Sequence, residues 1–201
     1  MSELERSAQP LLEPLVLGTT ETRRGKPWRW AAWRKSIAAT WALKTAMMLE
    51  HADTEDQRTI PKRLYSAFYG FQRPPLTCQI WVAQYVGDDP THHGRGALDA
   101  VEVIGPEGPV DATDAEPYVV ALSAGQLAFR LVGHLVVGAG LEQPLDAIAP
   151  ALARIWPITR QSPVAEWPPQ RALDNDGMRQ LVFLLRDAKP SPLTNPDGGR
   201  E

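Results

Sequence analysis

The spacing of apolar residues changes from a helical period to a strand period near Thr77, and this change constrains the fold. Before it, apolar side chains recur at spacings of three and four along residues 30–51, which is the pattern of a helix. From Cys78 onward they alternate, so that Cys78, Ile80 and Val82 point to one face of a strand. A helical block followed by a block of strands predicts an α+β fold, in which N-terminal helices pack on an antiparallel β-meander and a helix follows at the C-terminal end.

The predicted elements follow the same periods and the positions of proline and glycine. A first helix over residues 2–17 is disturbed at Pro10 and Pro14, and Ser2 is placed to cap it together with Glu5. Further helices are predicted over 30–51, from Ile60-Pro61 to Gly70, near 145–155 (broken by proline) and after a capping Asp174. Strands are predicted over 77–86, over 98–104, and over 118–123 with 126–137 as a hairpin.

We expect these elements to form one domain over residues 1–187. The domain is predicted to be mainly helical over 1–72 and to consist mainly of antiparallel strands over 77–137. Residues 145–187 are predicted to be helical with proline-rich links. The composition of residues 188–201 predicts a disordered tail.

Composition excludes several classes of protein. Cys78 is the one cysteine among 201 residues, so the chain cannot form an intramolecular disulfide or a cysteine-based zinc site. No apolar run approaches the roughly 20 residues that a transmembrane helix requires. Acidic residues stand near the N-terminus, where a signal peptide carries basic ones. The sequence therefore predicts no membrane partner and a cytoplasmic location.

Charge is distributed unevenly, although the net charge is only −3. Between Glu21 and Lys35, six basic residues stand against one acid, and three tryptophans interleave with them. Cationic side chains bind phosphates and aromatic rings stack on exposed bases, so this segment is the predicted nucleic-acid surface. The alternative is a helix start whose tryptophans belong to the core and whose arginines are solvated or stack on them. The candidate residues are Arg23, Arg24, Lys26, Trp28, Arg29, Arg34 and Lys35.

Two isolated polar residues are further candidates, and each has a structural alternative. Lys44 lies on an otherwise apolar helix surface, where burial would lower its pKa and suit a base or nucleophile. Alternatively, its stem covers apolar neighbours and its ammonium reaches water or a carboxylate. His134, in a predicted strand, is either a general base or ligand-orienting group or a hydrogen-bonded structural residue. His92-His93 and the acids at 88–89 could offer metal ligands, but no third fixed ligand is visible.

No catalytic motif in the sequence is complete. Gly138-Ala139-Gly140 follows a strand, but Gln143 stands where a dinucleotide-binding loop needs another glycine. Ser123 lacks the preceding glycine of a nucleophile elbow. We therefore predict no catalytic residue, no metal site and no cofactor, which favours a protein that is not an enzyme.

Several short segments stand in an order and spacing that is shared with one protein family. The segments are Met1-Ser2-Glu3-Leu4-Glu5, Pro14-Leu15, Trp41-Ala42-Leu43-Lys44-Thr45-Ala46-Met47-Met48-Leu49-Glu50, Ile60-Pro61, Leu64-Tyr65, Leu122-Ser123-Ala124-Gly125, Gly133-His134, Ile155-Trp156-Pro157 and Trp167-Pro168-Pro169. Together they resemble the C-terminal portion of bacterial and phage HNH-endonuclease-like proteins. The resemblance spans about residues 1–187 of the sequence.

The resemblance implies that a small zinc module precedes this portion. That module carries paired Cys-x-x-Cys elements, a Glu-His-x-x-Pro stretch and a segment like Cys-x-x-Cys-Asn-Asn-Gly-Trp-Met, followed by Leu-Glu. Met1 and Leu4-Glu5 match the end of that segment, so we expect a naturally split or shortened protein, or a start site placed late. HNH-type hydrolysis needs a histidine base and a metal on that module, and no catalytic residue is carried over.

The sequence supports three hypotheses of function. The first is a non-catalytic accessory domain of an HNH-nuclease-like protein that engages nucleic acid through residues 23–35. The second is a protein-interaction or structural module that docks a separate zinc or HNH module, or that self-associates. The third is an unrecognised enzyme around His134 or Lys44, which would require a pocket joining one of them to a carboxylate.

Overall fold

The computed structural model describes residues 2–18, 28–52, 58–88, 93–95, 102–142, 148–159 and 165–182. Its helices and antiparallel sheet confirm the predicted α+β class. The helices are α1 (Glu3–Val16), α2 (Ala32–His51), α3 (Lys62–Phe71), α4 (Ala112–Ala115) and α5 (Asn175–Val182), with a 3-10 turn at Ala149–Ala151. The strands are β1 (Trp28–Arg29), β2 (Cys78–Gln84), β3 (His93–Arg95), β4 (Glu102–Gly105), β5 (Gly108–Pro109), β6 (Tyr118–Ala124), β7 (Leu127–Gly133), β8 (Gly140–Glu142), β9 (Ala153–Trp156) and β10 (Glu166–Trp167).

Five strands form the main sheet, in the order β3-β6-β7-β2-β9, and every neighbouring pair is antiparallel. The predicted hairpin is present as β6 and β7, which are joined by the two-residue turn Gly125-Gln126. β2 lies between β7 and β9, so the strand that follows the helical block runs through the interior of the sheet. Two smaller sheets pair β1 with β10 and place β4 between β5 and β8.

The two faces of β2 bury different sets of side chains. Cys78, Ile80 and Val82 belong to the large core that the sheet shares with α1, α2 and α3. Ala83 faces the opposite side, where a smaller core contains residues from α5. The alternation that the sequence predicted for this strand is therefore present, because successive side chains of a strand point to opposite faces.

Helix α2 is buried on several sides, as its nearly continuous apolar sequence predicts. Its alanines at 38, 39, 42 and 46 have no exposed surface, and their small side chains let neighbouring elements approach the helix closely. α1 packs against α2 and buries Leu11, Leu12 and Leu15. α1 is one continuous helix although Pro10 and Pro14 each remove a backbone donor, because this apolar face offsets the loss.

The predicted helices of residues 145–187 are partly wrong. In place of a helix near 145–155, the structure has the 3-10 turn and then β9, which hydrogen-bonds to β2 at the edge of the main sheet. β10 pairs with β1, whose residues lie far away in the sequence. The described part of this region is helical in α5, where Asp174 caps by accepting from Gly177 N–H at 2.7 Å.

Other boundaries also differ from the predicted ones. The strand predicted over 126–137 ends at Gly133, and the described part of the strand predicted over 98–104 begins at Glu102. The predicted tail over 188–201 lies outside the described residues. Within the ranges given above, no helix combines the length and apolarity that crossing a membrane requires.

Candidate functional site

The basic and aromatic segment predicted to bind nucleic acid is divided by the fold. Arg23, Arg24 and Lys26 lie outside the described residues. Trp28 and Arg29 form β1, and the Arg29 guanidinium lies 3.4 Å from the Glu166 carboxylate on the paired strand. Strand pairing therefore sets the position of this part of the segment.

The remaining residues of the segment point in different directions. Trp30 is buried against Trp167, with ring centroids 6.3 Å apart. Lys35 is also buried, and burial together with the nearby Arg154 charge lowers its pKa. Arg34 stacks over the exposed Trp33 ring, 5.1 Å from its centroid. Among these described residues, Arg29 and Trp33 are therefore exposed and Arg34 is half-buried.

Lys44 binds the first turn of α1. Its Nζ lies 2.8 Å from Glu5 Oε1 and 3.1 Å from Ser2 Oγ. The same two residues form the expected capping box, in which Glu5 Oε2 accepts from Ser2 N–H at 2.7 Å and Ser2 Oγ accepts from Glu5 N–H at 3.3 Å. Hydrogen bonds from Lys44 and from Ser2 N–H lower the pKa of Glu5 to about 2. Lys44 thus acts as a cation that holds α1 on α2.

His134 is buried directly after β7. Its Nδ1 accepts a hydrogen bond from Val136 N–H at 3.2 Å, and burial lowers its pKa. This contact supports the local turn that ends the strand. His93 lies in β3, whereas His92 and Asp89 lie outside the described residues. Among the residues that the structure describes, no three histidine, cysteine, aspartate or glutamate side chains are grouped to hold a metal ion.

A groove of about 520 Å³ between α2 and α3 was not predicted from the sequence. One wall is the face of α2 that carries Lys44, Met47, Met48 and His51. The other wall is the face of α3 that carries Lys62, Tyr65, Phe68 and Tyr69, and Arg58 lies just before that helix. Both sets recur at helical spacing, so the groove follows the two helices.

The lining of the groove combines buried apolar side chains with basic ones. Met47 and Phe68 are buried, and they form the floor. Met48 is 59% exposed and Tyr69 is 72% exposed, although both line the groove. The half-buried Tyr65 has its pKa raised to about 12 by burial and by the nearby Glu50 charge. Met48 and Tyr69 therefore leave apolar surface exposed on the walls of this concave surface.

Glu50 fixes the position of α3 relative to α2. Its side chain lies in the last turn of α2 and has no exposed surface. The carboxylate accepts hydrogen bonds from Ile60 N–H at 2.8 Å, from Thr59 N–H at 3.2 Å and from the Thr59 hydroxyl. α3 has no cap from its own N-cap side chain, so this carboxylate orders the chain that leads into the helix. The groove depends on this contact.

Arg130 is a second buried charged residue that was not predicted from the sequence. It lies in β7 with no exposed surface, and burial lowers its pKa to about 9. Its Nε donates to the Leu181 carbonyl at 2.9 Å, and its guanidinium lies 5.3 Å from the Trp81 ring centroid. The residue therefore joins the last described turn of α5 to the main sheet.

The structure does not bring the predicted site residues together. Lys44 lines the groove, His134 supports the turn after β7, and the described part of the basic segment lies at β1 and the start of α2. The groove offers apolar contact, phenol groups and positive charge. Comparisons with family models, with curated proteins and with solved structures find no match.

Proposed function

We propose that this chain is a non-catalytic binding domain that docks a protein partner in the groove between α2 and α3. The exposure of Met48 and Tyr69 on the walls of an apolar groove is the observation that carries the proposal. Exposed apolar side chains lose contact with water when a partner covers them, which favours association. Methionine side chains also adapt to the shape of the surface that they meet.

The shape of the groove favours a macromolecular partner over a small molecule. A site for a small molecule is typically a cleft or cavity that encloses most of its ligand's surface. Here, the floor is buried but Met48, His51, Lys62 and Tyr69 on the walls are exposed. An open surface of this kind suits an elongated partner that lies along the two helices.

The resemblance to HNH-endonuclease-like proteins suggests what such a partner is. An accessory domain of that family would dock a zinc or HNH module, and a second copy of this chain is the alternative occupant. Either role agrees with a groove whose lining provides contact and charge. The HNH relationship and the cytoplasmic location stay predictions from the sequence.

The proposal predicts that helical peptides selected for binding to this protein occupy the groove. We expect a displayed library of helical peptides to yield binders whose affinity falls at least tenfold for the double variant M48E/Y69E. Each substitution places a charge where the partner's apolar side chains insert, and centrally placed contacts dominate binding energy. Fluorescence polarisation with each labelled peptide measures the change.

Two controls make this experiment decisive. Leu76 is 76% exposed and does not line the groove, so L76E is expected to leave the affinity unchanged. Met48 and Tyr69 are exposed, so M48E/Y69E should unfold at nearly the wild-type temperature. The proposal is contradicted if the library yields no binder, or if M48E/Y69E binds the selected peptides as tightly as the wild type does.

A second candidate function, nucleic-acid binding through residues 23–35, is favoured by the exposed Trp33 ring that stacks with Arg34. Exposed rings stack on bases, and cations beside them bind phosphates. This function predicts that single-stranded DNA or RNA binds at 50 mM salt and is released steeply towards 200 mM. The variant R23A/R24A/K26A/R29A should then lose affinity, whereas R171A, at an exposed arginine outside the segment, should not. Absent or salt-insensitive binding contradicts this candidate.

A further inference from the structure

We infer that the partner of the groove is an acidic amphipathic α-helix, an inference that rests on the proposed function. Three of the residues that line the groove carry a formal positive charge, Lys44, Arg58 and Lys62, and Lys44 is paired with Glu5. No carboxylate is among the described residues that line it. A partner that places carboxylates at the edges of the groove and apolar side chains on its floor matches this arrangement in both charge and polarity.

The geometry of the walls favours a helix over an extended strand. The α2 wall uses positions 44, 47, 48 and 51, so it spans eight residues, and the rise from the first to the last is roughly 10 Å along the helix axis. A helical partner inserts side chains at spacings of three, four and seven, and such a set fits a groove of this length. An extended partner instead binds by adding to the hydrogen bonds of a sheet edge. Helix side chains line the groove, so strand addition has no edge to use.

The chain contains one example of the interaction that we infer. α1 is an acidic amphipathic helix, with Glu3 and Glu5 in its first turn and Leu11, Leu12 and Leu15 buried in the core. It lies against α2, and Glu5 binds Lys44 at 2.8 Å. Lys44 also lines the groove. The surface of α2 therefore already holds one acidic helix through apolar burial and a lysine–glutamate pair, directly beside the groove.

Positive charge at the groove also comes from the start of α3. Arg58 precedes α3 and Lys62 is its first residue, so both lie at the positive end of the helix dipole. Acidic side chains of a partner are attracted to this end. Salt should weaken this attraction, because exposed charges are screened over about 8 Å at physiological ionic strength.

The inference predicts the charge of the peptides that the library yields. We expect the selected sequences to be rich in Asp and Glu beside an apolar face. We use one selected peptide together with two synthetic analogues, in which every acidic residue is replaced by the uncharged amide or by lysine. Affinity is expected to fall about threefold or more for the amide analogue and at least tenfold for the lysine analogue. Fluorescence polarisation at low and high salt measures both changes.

A charge reversal on the protein provides the matched test. The variant R58E/K62E should bind the acidic peptide more weakly than the wild type and the lysine analogue more tightly. Arg171 is an exposed arginine that does not line the groove, so R171E should leave both affinities unchanged. Sedimentation velocity without peptide tests whether a second copy of the chain occupies the groove. If the wild type self-associates and M48E/Y69E does not, the inference is overturned.

The outcomes separate this inference from the proposed function. One outcome is that M48E/Y69E lowers the affinity for the selected peptide, while the acidic, amide and lysine versions bind the wild type equally well. This outcome would overturn the inference and leave the docking function supported. An absence of binding at the groove would overturn both. Single-stranded DNA that displaces the selected peptide from the groove would also overturn the inference, because the groove would then bind nucleic acid.

Discussion

Replacement of Glu50 by alanine is expected to lower the free energy of unfolding by about 3 kcal/mol or more. The side chain is fully buried, and its carboxylate accepts from Ile60 N–H, Thr59 N–H and the Thr59 hydroxyl. A hydrogen bond to a charged group contributes about 1.5–3 kcal/mol, and a buried donor that loses its partner costs about 1–3 kcal/mol. Urea denaturation followed by tryptophan fluorescence measures the change.

Two further variants identify the cause of this loss. E50Q keeps one oxygen that can accept from the same donors, so it should retain part of the stability that E50A loses. E107A removes an exposed carboxylate in the turn between β4 and β5 and is expected to change stability by about 0.5 kcal/mol or less. If E50A unfolds within about 1 kcal/mol of the wild type, the carboxylate does not hold α3 in place.

Glu50 also connects stability to the proposed function. Its hydrogen bonds fix the chain that leads into α3, and α3 supplies one wall of the groove. A variant that folds but lacks this contact should therefore bind the selected peptides more weakly than the wild type. M48E/Y69E acts differently, because it changes the surface of the groove and leaves the Glu50 contacts in place.

The elements with a local pattern could be predicted from the sequence. α2 follows from its apolar residues at helical spacing, and the two faces of β2 follow from strict alternation. β9 could not be predicted in this way. It has four residues near Pro150 and Pro157, and it is a strand because it pairs with β2, which lies far away in the sequence. The local spacing of apolar residues does not identify a pairing strand that is distant in the sequence.

The site could not be predicted because exposure depends on the packing of distant elements. Met48 continues the apolar pattern of α2 and would be placed in the core, yet it is 59% exposed on the groove. Glu50 is a polar residue at a helix end and would be placed in solvent, yet it is fully buried by the chain before α3. The basic segment was predicted to form one exposed surface, but its described residues do not form one, because β1 pairs with β10 and Lys35 is buried.

Replacement of Gly125 by alanine is expected to destabilise the protein by about 2–4 kcal/mol, because strain and a steric clash add together. Gly125 has φ +54°, and a Cβ atom there would lie 2.2 Å from the Val16 carbonyl oxygen. That oxygen accepts from Gln126 N–H at 2.9 Å, so the β6–β7 turn and the end of α1 would have to separate.

The matched control for this prediction is Gly138, which has φ +84° and open space where a Cβ would be. G138A therefore measures the backbone strain alone, for which about 1–2 kcal/mol is expected. Urea denaturation of both variants gives the difference that is due to contact with Val16. Hydrogen exchange should also show faster exchange along α1 in G125A than in G138A, because only the first variant displaces the end of that helix. Equal destabilisation by the two substitutions would show that the close contact between the turn and α1 does not contribute to the stability of the fold.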